Sequence, residues 1–266
     1  LFTLRAYLLL GIGDMPAVAK LMCMKGHNGL HPCRFCKIRG LRVPNARGNA
    51  HYVPLNRARH PDAGDTPHYD PAALPMRTHQ EMLRQALDVE SAPNPTQAQQ
   101  RGRDSGMSGM PLLAVLSSIW LHLSFPVEFM HLVWLNLIPN LTRLYTGDFK
   151  GLDSGDGDYE LAEAVWENIG RITGAAGSTI PSAFGARVPD LAKDRSHMIA
   201  ETWCIWTMFI APVVLRGRFV DEKYYRHFLD LVRLLDLCLQ LEIKREDIDE
   251  IRVGFIEWVR KYEEYV

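Results

Sequence analysis

Residues 1–12 are largely apolar with one charge, Arg5, the pattern of a buried strand. Gly13-Asp14 closes that run. Pro16, followed by Ala17, Val18, Ala19, Leu21 and Met22, predicts a helix over 15 to about 25 with proline in its first turn. A Gly-, Pro- and Arg-rich loop over 26–48 surrounds His31-Pro32-Cys33-Arg34-Phe35-Cys36, and 51–75, rich in Pro and His, predicts an extended loop. Helical spacing returns over 77–89 through Met82, Leu83 and Leu87. The polar, low-complexity run 91–110 predicts a flexible linker.

The second half is more apolar. Residues 111–123 fit helix or loop, and 125–145 predict a helix with Glu128 in its first turn and a kink or break at Pro139. An acidic, glycine-rich loop over 147–158 precedes a helix over 159–172, with Leu161, Val165, Trp166 and Ile169 on one face. After a small-residue loop, 175–189, come a very apolar helix over 196–215 and two amphipathic helices over 223–241 and 246–262. The pattern is mainly α with a small β part.

Composition adds bounds. Apolar residues make up 47% of the 266, enough for a sizeable core. The longest uncharged apolar run, 202–215, contains Pro212 and falls short of the ~20 residues a membrane span needs. Five cysteines, two of them in Cys-x-x-Cys, point to a reducing compartment rather than a disulfide scaffold. The chain opens on Leu1 inside an apolar run, so a fragment of a longer protein is expected. Residues 1–60 hold ten Lys or Arg and one acid, Asp14, for +9; the remainder sums to −10. A lone carboxylate in a basic segment suits a phosphate-handling surface, and a solvated basic loop is the plainer alternative.

Several residues could carry chemistry. Asp14 could hold a cation at a strand end or simply cap the following helix. Cys33 and Cys36 have the spacing of half a tetrahedral zinc site, with the other ligands coming from elsewhere; His27, His31 and His122 are possible ones. Glu128 and His131, three apart on a predicted helix, share a face, which suits metal ligation as well as helix capping. Glu201 is the only charge between His197 and Arg216. Set among Trp203, Ile205 and Trp206, it predicts a buried carboxylate that needs a cation or hydrogen-bond donors: a metal, Arg187 or Arg195 would serve. Cys23, Cys204 and Cys238 fall in apolar patterns and read as core.

Taken together, Gly13-Asp14-Met15-Pro16-Ala17, Gly26-His27-Asn28-Gly29, Pro32-Cys33-Arg34-Phe35-Cys36, Leu74-Pro75-Met76-Arg77-Thr78, Phe125-Pro126-Val127-Glu128-Phe129-Met130-His131 with Asn136, and Ala200-Glu201-Thr202-Trp203 carry a resemblance. The chain resembles the transposases of CACTA (En/Spm-type) DNA transposons, in the form common in mushroom-forming fungi. The resemblance runs from Leu1 to the C-terminus, and the order and combination of the pieces are what is specific. The Asp14-to-Cys33 spacing is also similar to that of the V(D)J recombinase catalytic core.

The resemblance implies a partial RNase H-like α/β core interrupted by a large helical insertion. Residues 1–48 would be the core segment, 49–194 the insertion with its linker near 91–110, and 195–266 the returning core helix and C-terminal helices. It matches Asp14 to the second catalytic acid and Glu201 to the third. Cys33, Cys36 and His131, with Glu128, match the zinc-bearing motifs; Glu128 stands where many relatives carry Asp. Implied cofactors are catalytic Mg²⁺ and structural Zn²⁺, with two-metal phosphoryl transfer as the reaction. Implied partners are transposon-end and target DNA and further copies of the chain, in the nucleus and without a membrane. Phosphate contacts would come from Arg34, Lys37, Arg39 and Arg42. The first acid would lie on an earlier strand, so these residues alone are expected to be inactive. The alternative is a non-catalytic, zinc-bearing remnant that binds DNA or protein. If Asp14 and Glu201 share metals, helix 196–215 is expected beside the strand ending at Asp14.

Overall fold

The structure, a computed structural model, describes residues 5–42, 51–58, 60, 63, 68–149 and 157–265. It is mainly helical, with one small β ladder. The start of the predicted strand (1–4) and the middle of the acidic loop (150–156) lie outside the described residues. The chain divides into two compact units, Leu1–Glu128 and Phe129–Val266. The segments 1–48, 49–194 and 195–266 drawn from the sequence are a partition by expected catalytic role; this one is by compactness.

In the first unit, the predicted strand is not one over its described part. Residues 5–12 are extended, and among the described residues no strand pairs with them. They are held by Gly11 N–H to Ser124 O (2.8 Å) and Ser118 Oγ–H to Leu8 O (2.6 Å). A run apolar on both faces needs covering neighbours to be a buried strand. Here Tyr7, Leu9, Leu10 and Ile12 are exposed instead. Helix α1 (Met15–Leu21) is shorter than its pattern, because Cys23 turns into the left-handed region at φ 49° and ends it. Cys23 is therefore a half-buried turn residue, not part of a helix face.

Strands β1 (Leu41–Arg42) and β2 (His51–Tyr52) pair antiparallel. Helix α2 (His79–Glu90) is capped by Thr78, whose side chain accepts from Glu81 N–H. The predicted linker is the second correction: α3 (Pro95–Ser105) is a helix. Asn94 caps it by accepting from Gln97 N–H at 3.0 Å, Pro95 takes the first helical position, and Gly106 closes it in the left-handed region at φ 82°. The unit's core gathers Val18, Met22 and Met24 from around α1, Met82 and Ala86 from α2, and Met107, Ile119, Leu121 and Phe125 from beyond α3. Residues 111–123, open between helix and loop, form one 3₁₀ turn, Leu112–Val115, within irregular chain.

In the second unit, the helix expected from 125 begins only at Phe129, so Glu128 precedes it rather than riding in its first turn. A π-helical stretch, Met130–Leu137, leads into α4 (Ile138–Tyr145), with Pro139 as its second residue. The same device recurs: α6 (Ala200–Ile205), a π-helical stretch Trp206–Ile210, and α7 (Ala211–Val214), with Pro212 again second. A proline lacks the N–H of the regular ladder, and its ring crowds the carbonyl four residues back. Widening the turns ahead of it absorbs both defects without breaking the rod. Side chains then reach each proline carbonyl: Arg195 Nη2 at 2.9 Å on Pro139 O, and Tyr225 Oη at 2.6 Å on Pro212 O. The remaining helices are α5 (Glu163–Ala176), α8 (Glu222–Cys238) and α9 (Arg245–Tyr265). Their core centres on Trp206, fully buried and ringed by Trp166, Trp203 and Phe228 with centroids at 6.4, 5.9 and 6.3 Å. Among the described residues, no helix is long and apolar enough to cross a membrane.

Candidate functional site

The Cys-x-x-Cys loop is the most highly organised candidate. Its backbone folds so that the N–H groups of Phe35 and Cys36 both donate to Cys33 Sγ at 3.3 Å. The Cys36 thiol adds a third hydrogen bond, and together these hold the Cys33 thiol well down, to about 6. Cys36 shifts the other way, because it keeps the proton it gives to Cys33 and is itself buried. The hydrogen bond from the Cys36 thiol, the largest of these influences, favours the thiolate form of Cys33. A divalent zinc ion would displace the shared proton, so the donor set fits half of a tetrahedral site.

The loop is built from distant sequence. Cys36 bridges Met76, and Arg77 N–H donates to Phe35 O at 2.8 Å. The buried Arg77 guanidinium ties down two loop carbonyls, Cys33 O at 3.0 Å and Cys36 O at 3.3 Å, and reaches Ser105 O at the end of α3. Residues 74–78 of the resemblance are thus the clamp on the thiol loop. Nothing in the local pattern marks Arg77 for this role, because its partners lie some forty residues before it and about thirty after it. Arg34 Nη2 donates to Pro126 O at 2.6 Å, so the thiol loop also holds the chain two residues before Glu128.

Asp14 is the N-cap of α1: its Oδ1 accepts from Ala17 N–H at 2.7 Å. Glu201 is not buried, which corrects the reading of it as a desolvated charge. It lies on the exposed face of α6 and accepts from Ala186 N–H at 3.1 Å. Gly185, at φ 112°, leaves the room that the Glu201 carboxylate fills. Neither arginine offered as a partner turns to it. Arg187 Nη2 donates to Gly174 O at 3.2 Å, while Arg195 meets Pro139 O, Thr142 and Asp148. His131 is half-buried in the π-helical stretch, with its carbonyl accepting from Asn136 Nδ2. Among the described residues, no group of three or more His, Cys, Asp or Glu is gathered as a metal site.

The four expected phosphate contacts divide. Arg34 and Lys37 spend their charge inside the unit, on Pro126 O and on Glu81 (3.0 Å). Arg39 and Arg42 are exposed. His31 keeps to the loop as well, its Nδ1 at 3.2 Å from Lys37 O, and burial lowers its proton affinity. Cys204 and Cys238 are half-buried thiols pushed up by burial. No protein-family model, no curated protein and no solved structure matches the chain.

Proposed function

We propose that this chain carries the catalytic region of a DDE/D-type transposase of the CACTA kind, which cuts DNA and joins the strands with the help of divalent metal. The finer fold that goes with this reading is an RNase H-like core with a helical insertion. Asp14 and Glu201 are its second and third acids, and each has one carboxylate oxygen outside the backbone hydrogen bond described above. Asp14 and Glu201, together with a first acid on an earlier strand, would hold Mg²⁺, which would supply activation of the attacking hydroxyl and charge neutralisation at the leaving oxygen. Zn²⁺ on Cys33 and Cys36, with His131 and Glu128, braces the region. Nuclear location, self-association and binding of transposon-end and target DNA belong to the same proposal.

The observation that carries it is the bond from Arg34 to Pro126, which joins the Cys-x-x-Cys loop to the segment leading into Glu128. Two motifs some ninety residues apart, both with metal-ligand chemistry, are tied by a charged donor; nothing in a solvated basic loop requires that. The test is strand cleavage, with Mg²⁺, by the gene product that contains this chain. Asp14→Asn and Glu201→Gln should each abolish cleavage while DNA binding persists; cleavage by either variant at the wild-type rate rejects the reading. A second reading, a zinc-bearing remnant that binds without cutting, is favoured by one observation: both acids already serve backbone N–H groups. Binding by the wild type without any cleavage would select it.

A further inference from the structure

The turn Gly26-His27-Asn28-Gly29 and helix α3 face each other across a groove. Lys25 N–H donates to Gly106 O at 2.9 Å, and Gly29 N–H to Gly26 O at 2.9 Å, so the turn is fixed against the end of α3. A cleft of about 320 Å³ opens there, lined by Lys25, Asn28, Gly29, Leu30, Arg42, Gln99 and Arg103. A second hollow of about 210 Å³ shares Leu30, Arg42 and Arg103 with it and adds Arg39 and Gly40, so the two run on as one groove.

Among the described residues the lining is chemically one-sided: four cations, two amides, and no carboxylate. Lys25, Arg39, Arg42 and Arg103 are all exposed, so their heads are available to a ligand. Placing four like charges around one concavity costs repulsion that a polyanion would relieve. Guanidinium forks suit phosphate oxygens, and amides donate to them without charge. Among the described residues no aromatic ring lines the groove to stack a base, and Leu30 is the one large apolar side chain there. Such a lining offers donors for a phosphate backbone and no platform on which a base would stack.

We propose that this groove binds the phosphodiester backbone of nucleic acid without regard to sequence, and that α3, through Gln99 and Arg103, is one of its walls. The proposal rests on the nucleic-acid side of the function above and not on catalysis. It moves the phosphate contacts away from Arg34 and Lys37, which are engaged inside the unit, and onto Lys25, Arg42 and Arg103.

The test is anisotropy titration of the whole chain with labelled duplexes of two unrelated sequences over a range of salt. Arg42→Gln with Arg103→Gln should weaken binding roughly tenfold or more at low salt and flatten the log K against log salt slope by about 1 per cation removed, equally for both duplexes. Arg226→Gln, an exposed cation on α8, should change neither. Gln99→Glu keeps every cation and adds one carboxylate to the lip, so a loss of affinity there supports the groove even if the double variant folds poorly. Inorganic phosphate at matched ionic strength should displace no more DNA than sodium chloride does; strong displacement would make this a small-anion site and overturn the proposal. Wild-type affinity and slope in both the double variant and Gln99→Glu would overturn it too, leaving the transposase reading intact. Failure of the wild-type chain to bind either duplex would count against both.

Discussion

Asp14 and Glu201 each do a structural job with one oxygen, and an amide oxygen can do the same job. Asp14→Asn should therefore keep the α1 cap and leave stability within about 0.5 kcal/mol, whereas Asp14→Ala should cost about 1 kcal/mol in urea unfolding. If Asp14→Asn were as damaging as Asp14→Ala, its charge would matter to the fold and the cleavage test would lose its meaning. The same reasoning makes Glu201→Gln the safe substitution at the 185–186 turn. At Cys33 the depressed thiol gives a second prediction. In metal-free folded protein, iodoacetamide should modify Cys33 with a pH midpoint near about 6, against the ordinary 9.0. Above that pH the thiolate is present, and below it the reaction slows. Denaturant should return the midpoint to the ordinary value. A folded-state midpoint near 9 would mean that the three hydrogen bonds on Cys33 Sγ do not hold a thiolate. Zinc should protect Cys33, and Cys33→Ser should lose the ion in metal analysis.

At the scale of elements, α3 shows where composition and stereochemistry part company. Eleven polar or small residues bury almost nothing, so the segment reads as linker by hydropathy; Gly102 is its one buried residue. Its caps, Asn94-Pro95 at one end and Gly106 at the other, were legible all the same, because they act through backbone geometry and not burial. Gly106→Ala should destabilise by about 1–2 kcal/mol, since a Cβ would sit 2.8 Å from His31 O and φ is 82°. An unchanged urea midpoint would remove that account of the helix end. Glu201 failed for the complementary reason. The 200–214 rod is apolar all round, and periodicity does not mark which stripe faces out when Phe209 and Val213 are themselves exposed. Helices α8 and α9 were read within a few residues, and their seam carries a pH prediction. His227 stacks on Trp258 at 4.6 Å, its Nε2 donates to Trp258 O, and Trp258 Nε1–H returns a bond to His227 O. Burial lowers the His227 pKa below 6.5, against a smaller pull upward from the Trp258 carbonyl and Asp230, with Lys261 adding to the fall. The unfolded chain then takes up a proton that the folded one refuses, so stability should drop as pH falls below 6.5. His227→Phe should flatten that part of the pH–stability curve; an unaltered slope would place the titration elsewhere.

At the scale of the molecule, the described residues bury two hydrophobic cores. One draws its buried residues from 18–125, the other from 133–258. The first is thin and methionine-rich, with Met22, Met24, Met82 and Met107 filling the space between short elements. The second is aromatic. Five of the six tryptophans belong to it, and edge-on ring contacts run from Trp166 through Trp206 to Trp203. Trp206→Ala should accordingly cost about 3–5 kcal/mol, a large share of what holds one such unit together. Because its core, among the described residues, uses none before Phe129, the segment 129–266 has the means to fold alone. Expressed by itself, it should give a helical far-UV spectrum, a tryptophan near-UV signal and one cooperative thermal transition, and Trp206→Ala should lower that transition. A segment that is helical but lacks near-UV signal and cooperativity would mean that the Trp206 core is completed by residues before 129, and the two-core description would fail.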